Sequence, residues 1–154
     1  MIKEHLDAFS NAVINVLPML GLEDVVPGEP KEVGKNIETA GVVCIVGIIG
    51  DMVGNVVYSM TEDCAKGIAS AMMGGMEVTE FDELTQSAIS ELSNMMAANS
   101  CIGLSEIGVT ADISTPTLMQ GIFTMSGSYD SGTCVEMKIG EYKMEVYVSL
   151  QGRC

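Results

Sequence analysis

The sequence predicts an α+β fold, about six strands set against long helices. Three observations carry that prediction. Thr79 to Gly108 holds apolar residues at helical spacing over a length that suits one long helix. Ala40 to Ile49 and Val53 to Met60 are rich in Val and Ile and flank a glycine-bearing turn, GDMVG. The C-terminal stretch, ending in YKMEVYVSL, alternates apolar and polar residues with the period of a strand.

Taken in order, Ile2 to Leu20 reads as an amphipathic helix whose stripe is Leu6, Phe9, Val13, Val16, Leu17 and Leu20. Pro18 kinks or ends it near Leu17. Pro27, Gly28 and Pro30 mark Gly21 to Gly34 as a loop with one short extended piece, and Lys31 to Thr39 reads as an edge strand. The near-continuous apolarity of Ala40 to Ile49 places it inside the sheet. Gly47, Gly50 and Gly54 suggest a bend or bulge there. Thr61 caps a helix running to Met73, Glu62 and Asp63 suit its first turn, and Gly74-Gly75 ends it. That glycine pair lacks the further glycines and following helix start of a phosphate loop.

Thr79 is the expected cap of the long helix, with Asp82 three residues later as an imperfect capping box. Phe81, Leu84, Ala88, Leu92, Met95, Met96 and Asn99 form its expected core stripe. Glu91 falls on the shoulder of that stripe, and Asn94 beyond it, toward solvent. After the helix, Pro116 holds Thr115 extended within the segment Val109 to Gly121. Gly121 to Tyr129, Thr133 to Ile139 and Tyr142 to Leu150 read as three antiparallel strands, with turns at Ser128 to Gly132 and Gly140-Glu141. A faint echo links the first and third helices, since both precede β-rich stretches.

Composition bounds the function. A chain of 154 residues suits one domain, residues 1–154. The apolar run Ala40 to Gly50 is too short to span a bilayer. The start, MIKEHLDAF, lacks a signal-peptide layout, which points to the cytoplasm. Seven basic residues face 21 acidic ones, a net charge of −14. Such a surface repels nucleic acid and anionic membrane, and its ordinary role is solvation. Cys44, Cys64, Cys101, Cys134 and Cys154 match no zinc or redox spacing and read as small core residues in a reducing compartment. The single histidine, His5, reads as a surface residue without ligand partners. Thirteen methionines read as pliable core filler, with no His or Cys cluster to make a thioether metal site.

No Ser-His-Asp set, nucleotide fingerprint or metal cluster is available, so the chemistry-bearing candidates are Glu91 and Asn94. Residues three apart on a helix are neighbours. A carboxamide offers a donor and an acceptor and can hold a water in line with a phosphoryl group. A neighbouring carboxylate can pair with a partner's lysine and set the docking register. As a bare pattern, E-x-x-N also describes many solvated helix faces.

The flanking residues add to that pattern. ELSNMMAANS, Glu91 to Ser100, resembles the E-x-x-N motif of the CheC/CheX phosphatases, which dephosphorylate the chemotaxis response regulator CheY. The family motif continues as N-M-I-x-G-N; Asn94, Met95, Met96 and Asn99 agree, and Ala98 replaces glycine. STPTLMQG, Ser114 to Gly121, resembles the S-P-P-x-x-x-x-G segment of CheX-like chains, and FSNAVINVL, Phe9 to Leu17, their first helix. The resemblance implies a largely antiparallel sheet packed on long helices. It implies that Glu91 contacts a lysine of a phosphorylated CheY-like receiver domain while Asn94 orients the attacking water. It implies no cofactor of the chain's own, Mg²⁺ being carried by the receiver, and it implies a homodimer. CheC-like members carry a second motif on the first helix. Here Ala12 stands three residues before Asn15 and the glutamate is missing, so a single site is expected. The competing expectation is a non-catalytic adaptor, or a module like the flagellar switch proteins, that binds a receiver domain.

Overall fold

The chain lays a helix and four strands, then two helices and four more strands, and the two sets of strands interlock in one antiparallel sheet. The computed structural model describes residues 3–152, the side chains of residues 35 and 127–131 excepted. Helix α1 spans Lys3–Val16 and runs into a single 3-10 turn, Leu17–Leu20, where Pro18 ends the α-helical ladder. Strands β1 (Val25–Pro27), β2 (Lys31–Glu38), β3 (Gly41–Gly50) and β4 (Met52–Met60) follow. Helices α2 (Glu62–Met72) and α3 (Glu83–Glu106) come next, then β5 (Ala111–Ile113), β6 (Thr117–Gly121), β7 (Thr124–Ile139) and β8 (Tyr142–Gly152).

The sheet has eight strands in six ranks. The path runs β1, β7, β8, β4, β3, β5, with β2 sharing the outer edge of β7 and β6 sharing that of β3. The centre is the β4–β8 pair, in continuous register from Met52 opposite Gly152 to Met60 opposite Met144. The early short strands therefore pair with the late hairpin, and the late short strands with the early hairpin. This exchange ties the halves together, and it gives the faint echo of the sequence a structural basis. Helices α1 and α3 also close alike. Gly21 and Gly108 are left-handed, and Leu22 N–H and Val109 N–H return to the Leu17 and Leu104 carbonyls.

The six predicted strands become eight: the short extended piece before Pro30 supplies β1, two predicted strands merge into β7, and Val109 to Gly121 supplies two that were read as irregular. Pro116 separates them, and Ser114 bridges the gap: its N–H donates to the Gly47 carbonyl at 2.9 Å, while its Oγ accepts from Gly47 N–H at 2.8 Å. Gly47 is thus a close-approach site rather than a bulge. The β3–β4 register runs unbroken from Val42–Met60 to Ile48–Gly54. At Gly54 a Cβ would fall 1.8 Å from the Ser149 carbonyl oxygen, so only glycine lets β4 and β8 pair there. The predicted turn at Ser128 to Gly132 is absent. Strand β7 continues through it and pairs with β2 on both sides of a register shift between Gly34 and Asn36. The Gly140-Glu141 turn, the Lys31 edge strand and the Gly74-Gly75 stop stand where the sequence puts them.

Inward side chains of the central strands, among them Val42, Val46, Val56, Tyr58, Met144 and Val146, pack with Phe9, Val13, Ile68, Leu92 and Met96 from the three helices. Burying such side chains contributes about 1.5–3 kcal/mol each. His5, read as a surface residue, is partly exposed in the first turn of α1. Cys44, Cys64, Cys101 and Cys134 are free, the first two buried; Cys154 and Ile2 lie outside the described residues. No helix among the described residues is long and apolar enough to cross a membrane.

Candidate functional site

The site is the outer surface of α3, and its placement follows from how that helix is capped and seated. Asp82, not Thr79, is the N-cap: its Oδ1 accepts from both Thr85 N–H and Thr85 Oγ1–H at 2.9 Å. These bonds favour the charged carboxylate and hold it below the usual aspartate range. The helix begins at Glu83, whose acid suits the first turn, and ends before the left-handed Gly108.

The buried face of α3 is Thr85, Ile89, Leu92, Ser93, Met96, Ala97, Ser100 and Leu104. This differs from the expected stripe. Phe81 is buried but precedes the helix, Leu84 is 61% exposed, and Ala88, Met95 and Asn99 are only half-buried. The periodicity misleads because three hydroxyl residues face the core. Ser93 and Ser100 satisfy themselves by donating to the carbonyls of Ile89 and Met96, each at 2.9 Å. Their small side chains let α3 sit close to the sheet. The true core face is therefore turned toward Ser93 and Ala97, away from Leu84 and Ala88.

That rotation reverses the expected order of exposure at the candidate pair. Glu91 lies opposite the buried face and is exposed; Asn94, beside the buried Ser93, is half-buried. Three residues of helix separate them by about 4.5 Å of rise and roughly 60° of rotation. Both groups thus share one outer turn. Among the described residues, neither side chain makes a hydrogen bond or an ion pair. The Asn94 carboxamide keeps its donors and its acceptor uncommitted, and the Glu91 carboxylate has no internal cation.

Farther along, α1 and α3 pack antiparallel. Asn15 Nδ2–H donates to Asn99 Oδ1 at 3.2 Å, and Gly103 lies so close to α1 that a Cβ there would meet the Ala8 Cβ at 3.2 Å. Asn99, expected in the stripe, instead ties the two helices together. Ala12 is fully buried and Asn15 is engaged by Asn99, so that pair on α1 does not present a free surface like the one on α3. An open groove of about 470 Å³ lies between the helices, with Asp7, Asn15, Asn99 and Ile102 on its walls. Among the described residues, no three His, Cys, Asp or Glu side chains gather as a metal site.

Among the described residues, the outer face of α3 presents no nucleophile paired with a general base. Burial pushes the Cys64 thiol up to about 12, and raises Cys44 as well. What α3 does offer is a carboxylate and an amide for completing a site carried by another molecule.

Comparison with known proteins then gives four findings. A family model described as chemotaxis phosphatase CheX matches residues 42–137. The CheY-P phosphatase CheX of Thermotoga maritima is 39% identical over 103 residues, a match covering 67% of this chain and 66% of that protein. Among solved structures, chemotaxis protein CheX from Desulfovibrio desulfuricans superposes with a TM-score of 0.81 at 25% identity, covering 97% of each chain. A chain of the CheX-CheY-BeF3-Mg²⁺ complex from Borrelia burgdorferi shares the fold, with a TM-score of 0.72 at 23% identity over 97% of this chain and 96% of that one.

Proposed function

This chain belongs to the CheX family of chemotaxis phosphatases, and on that premise we propose that it hydrolyses the phosphoaspartate of a CheY-like response regulator. The observation that carries the reading is the pairing on one outer turn of α3: an exposed Glu91 and an Asn94 whose amide has no hydrogen-bond partner among the described residues.

In this reading Asn94 enters the receiver's active site and acts as the catalytic residue. Its carbonyl oxygen accepts a hydrogen bond from the attacking water and its NH₂ donates toward a phosphoryl oxygen, which fixes the water in line with the scissile bond. Ordering that water is work done mainly in the transition state, so it raises kcat more than affinity. Glu91 pairs with a receiver lysine and fixes the register in which the amide arrives. The chain needs no metal of its own; Mg²⁺ on the receiver supplies charge neutralisation at the phosphoryl oxygens when bound. We place the protein in the cytoplasm, where such receivers act, and assign it a homodimeric state.

The experiment is phosphate release from an acetyl-phosphate-charged receiver with Mg²⁺. Wild type should accelerate it. Asn94→Ala should lose on the order of 10²–10³ in kcat, the scale for removing one positioned donor. Glu91→Ala should weaken binding as well. A receiver that is bound but never discharged by wild type would favour the adaptor reading, and equal rates for all three proteins would remove the catalytic assignment.

A further inference from the structure

The outer face of α3 carries more than the Glu91–Asn94 pair. Leu84 is 61% and Ile102 58% exposed, and both are large aliphatic side chains. They are 18 residues apart, five full turns, so they project from the same side of the helix with about 27 Å between them. Glu91 stands between them on nearly the same line, flanked by half-buried Met95 and Ala98. Across Leu84 to Ser105 the helix has one charged residue, Glu91, in a chain with 21 acidic residues. An exposed helix in so acidic a protein ordinarily carries many charges. Here Glu83 and Glu106 stand at the two ends, Glu91 is the one charge between them, and apolar groups stand out instead. Charge depletion around an aliphatic centre is the composition of an interface core, not of a solvated face.

We infer that Leu84 and Ile102 are the two anchors of the receiver-docking surface, bracketing Glu91 and Asn94 at either end of one ridge. The inference rests on the functional reading above and extends it to the residues that set affinity. Charge supports this occupant. A chain of net charge −14 repels an incoming phosphoryl group, and between Leu84 and Ile102 the helix carries a single carboxylate, its other acids, Glu83 and Glu106, standing outside that span. Size supports it too. A standard interface of ~800 Å² per partner is about 32 Å across, close to the ~27 Å ridge. The occupant is therefore a receiver surface with a cation for Glu91 and apolar side chains on both sides of its phosphorylated pocket. Ile102 also forms one wall of the α1–α3 groove, so the footprint reaches α1 at that end.

The test uses Leu84→Gln, Ile102→Gln and the double variant, all in the full chain. Glutamine keeps helix propensity, and both sites are exposed, so thermal unfolding should match wild type. Discharge of an acetyl-phosphate-charged CheY-type receiver is measured against receiver concentration. The double variant should raise KM about tenfold or more, as loss of interface anchors does, while its plateau rate stays at the wild-type value. An unshifted KM, with wild type active and Asn94→Ala inactive, would overturn the ridge and leave the catalytic reading standing. A wild type that discharges no receiver would overturn both. Sedimentation adds a separate check. If the double variant falls from a larger to a smaller oligomer, the ridge is a contact between copies of this chain, and the inference is overturned.

Discussion

Among the described residues Glu91 has no hydrogen-bond or ion-pair partner, so its value should appear only in the complex. Glu91→Gln keeps the size of the side chain and removes the charge. In the free protein the group is exposed and unpaired, so the change in stability should stay within about 0.5 kcal/mol. In the complex the account places a lysine ammonium against it. Two unit charges at 4 Å attract by about 4 kcal/mol at an effective dielectric of 20, before desolvation is subtracted. Close interfacial pairs retain about 1.5 kcal/mol or more. Tenfold in affinity is 1.4 kcal/mol, so a ten- to hundredfold rise in KM is expected. The effect should shrink with salt, because the Debye length falls from ~10 Å at 0.1 M to ~3 Å at 1 M. The assay is receiver discharge at low and high ionic strength, with a melting curve for each protein. An unchanged KM at low salt would refute the docking role. A melting temperature several degrees lower would show that Glu91 supports the fold instead.

Further outcomes follow from the caps and the thiols. Asp82→Ala should lower the melting temperature near neutral pH. The folded carboxyl lies below its ordinary range, so the cap's contribution is complete above the unfolded aspartate pKa and disappears as pH falls through the lower folded value; the gap between variant and wild type should close in acid. Tested in a Cys154→Ser background, Cys44, Cys64, Cys101 and Cys134 should resist a thiol reagent at mildly alkaline pH and react together on denaturation. Burial raises all four thiols, Cys134 to about 11 and Cys64 to about 12. Rapid labelling of the folded protein would contradict that packing.

The parts of the fold legible in the sequence were those whose local signal agrees with their environment. Thr61 capped its helix as expected, donated to by Cys64 N–H at 3.1 Å, and the Val/Ile-rich hairpin formed in place. The failures share a cause. The buried face of α3 was misread because Thr85, Ser93 and Ser100 satisfy their hydroxyls locally and so occupy core positions that a hydrophobic pattern assigns to solvent. Strands β5 and β6 were missed because three to five residues beside a proline carry too short a period to detect. The turn placed at Ser128 to Gly132 rested on glycine and serine content, and pairing with β2 overrode it. That Glu91 and Asn94 share one turn was legible from their spacing; their order of exposure was not, because it depends on which face of α3 is buried. Leu84 was not recognised as a surface residue, since aliphatic side chains at helical spacing read as core until the helix is seated.

The central claim is that the uncommitted amide of Asn94 acts on a partner's phosphoryl group at the chemical step. Single-turnover decay of a phosphorylated receiver at saturating protein, wild type against Asn94→Ala, tests it most directly. The account predicts a plateau rate lower by two orders of magnitude or more in the variant, with the concentration at half-saturation nearly unchanged. Equal plateaus, with any loss confined to the half-saturation point, would contradict it.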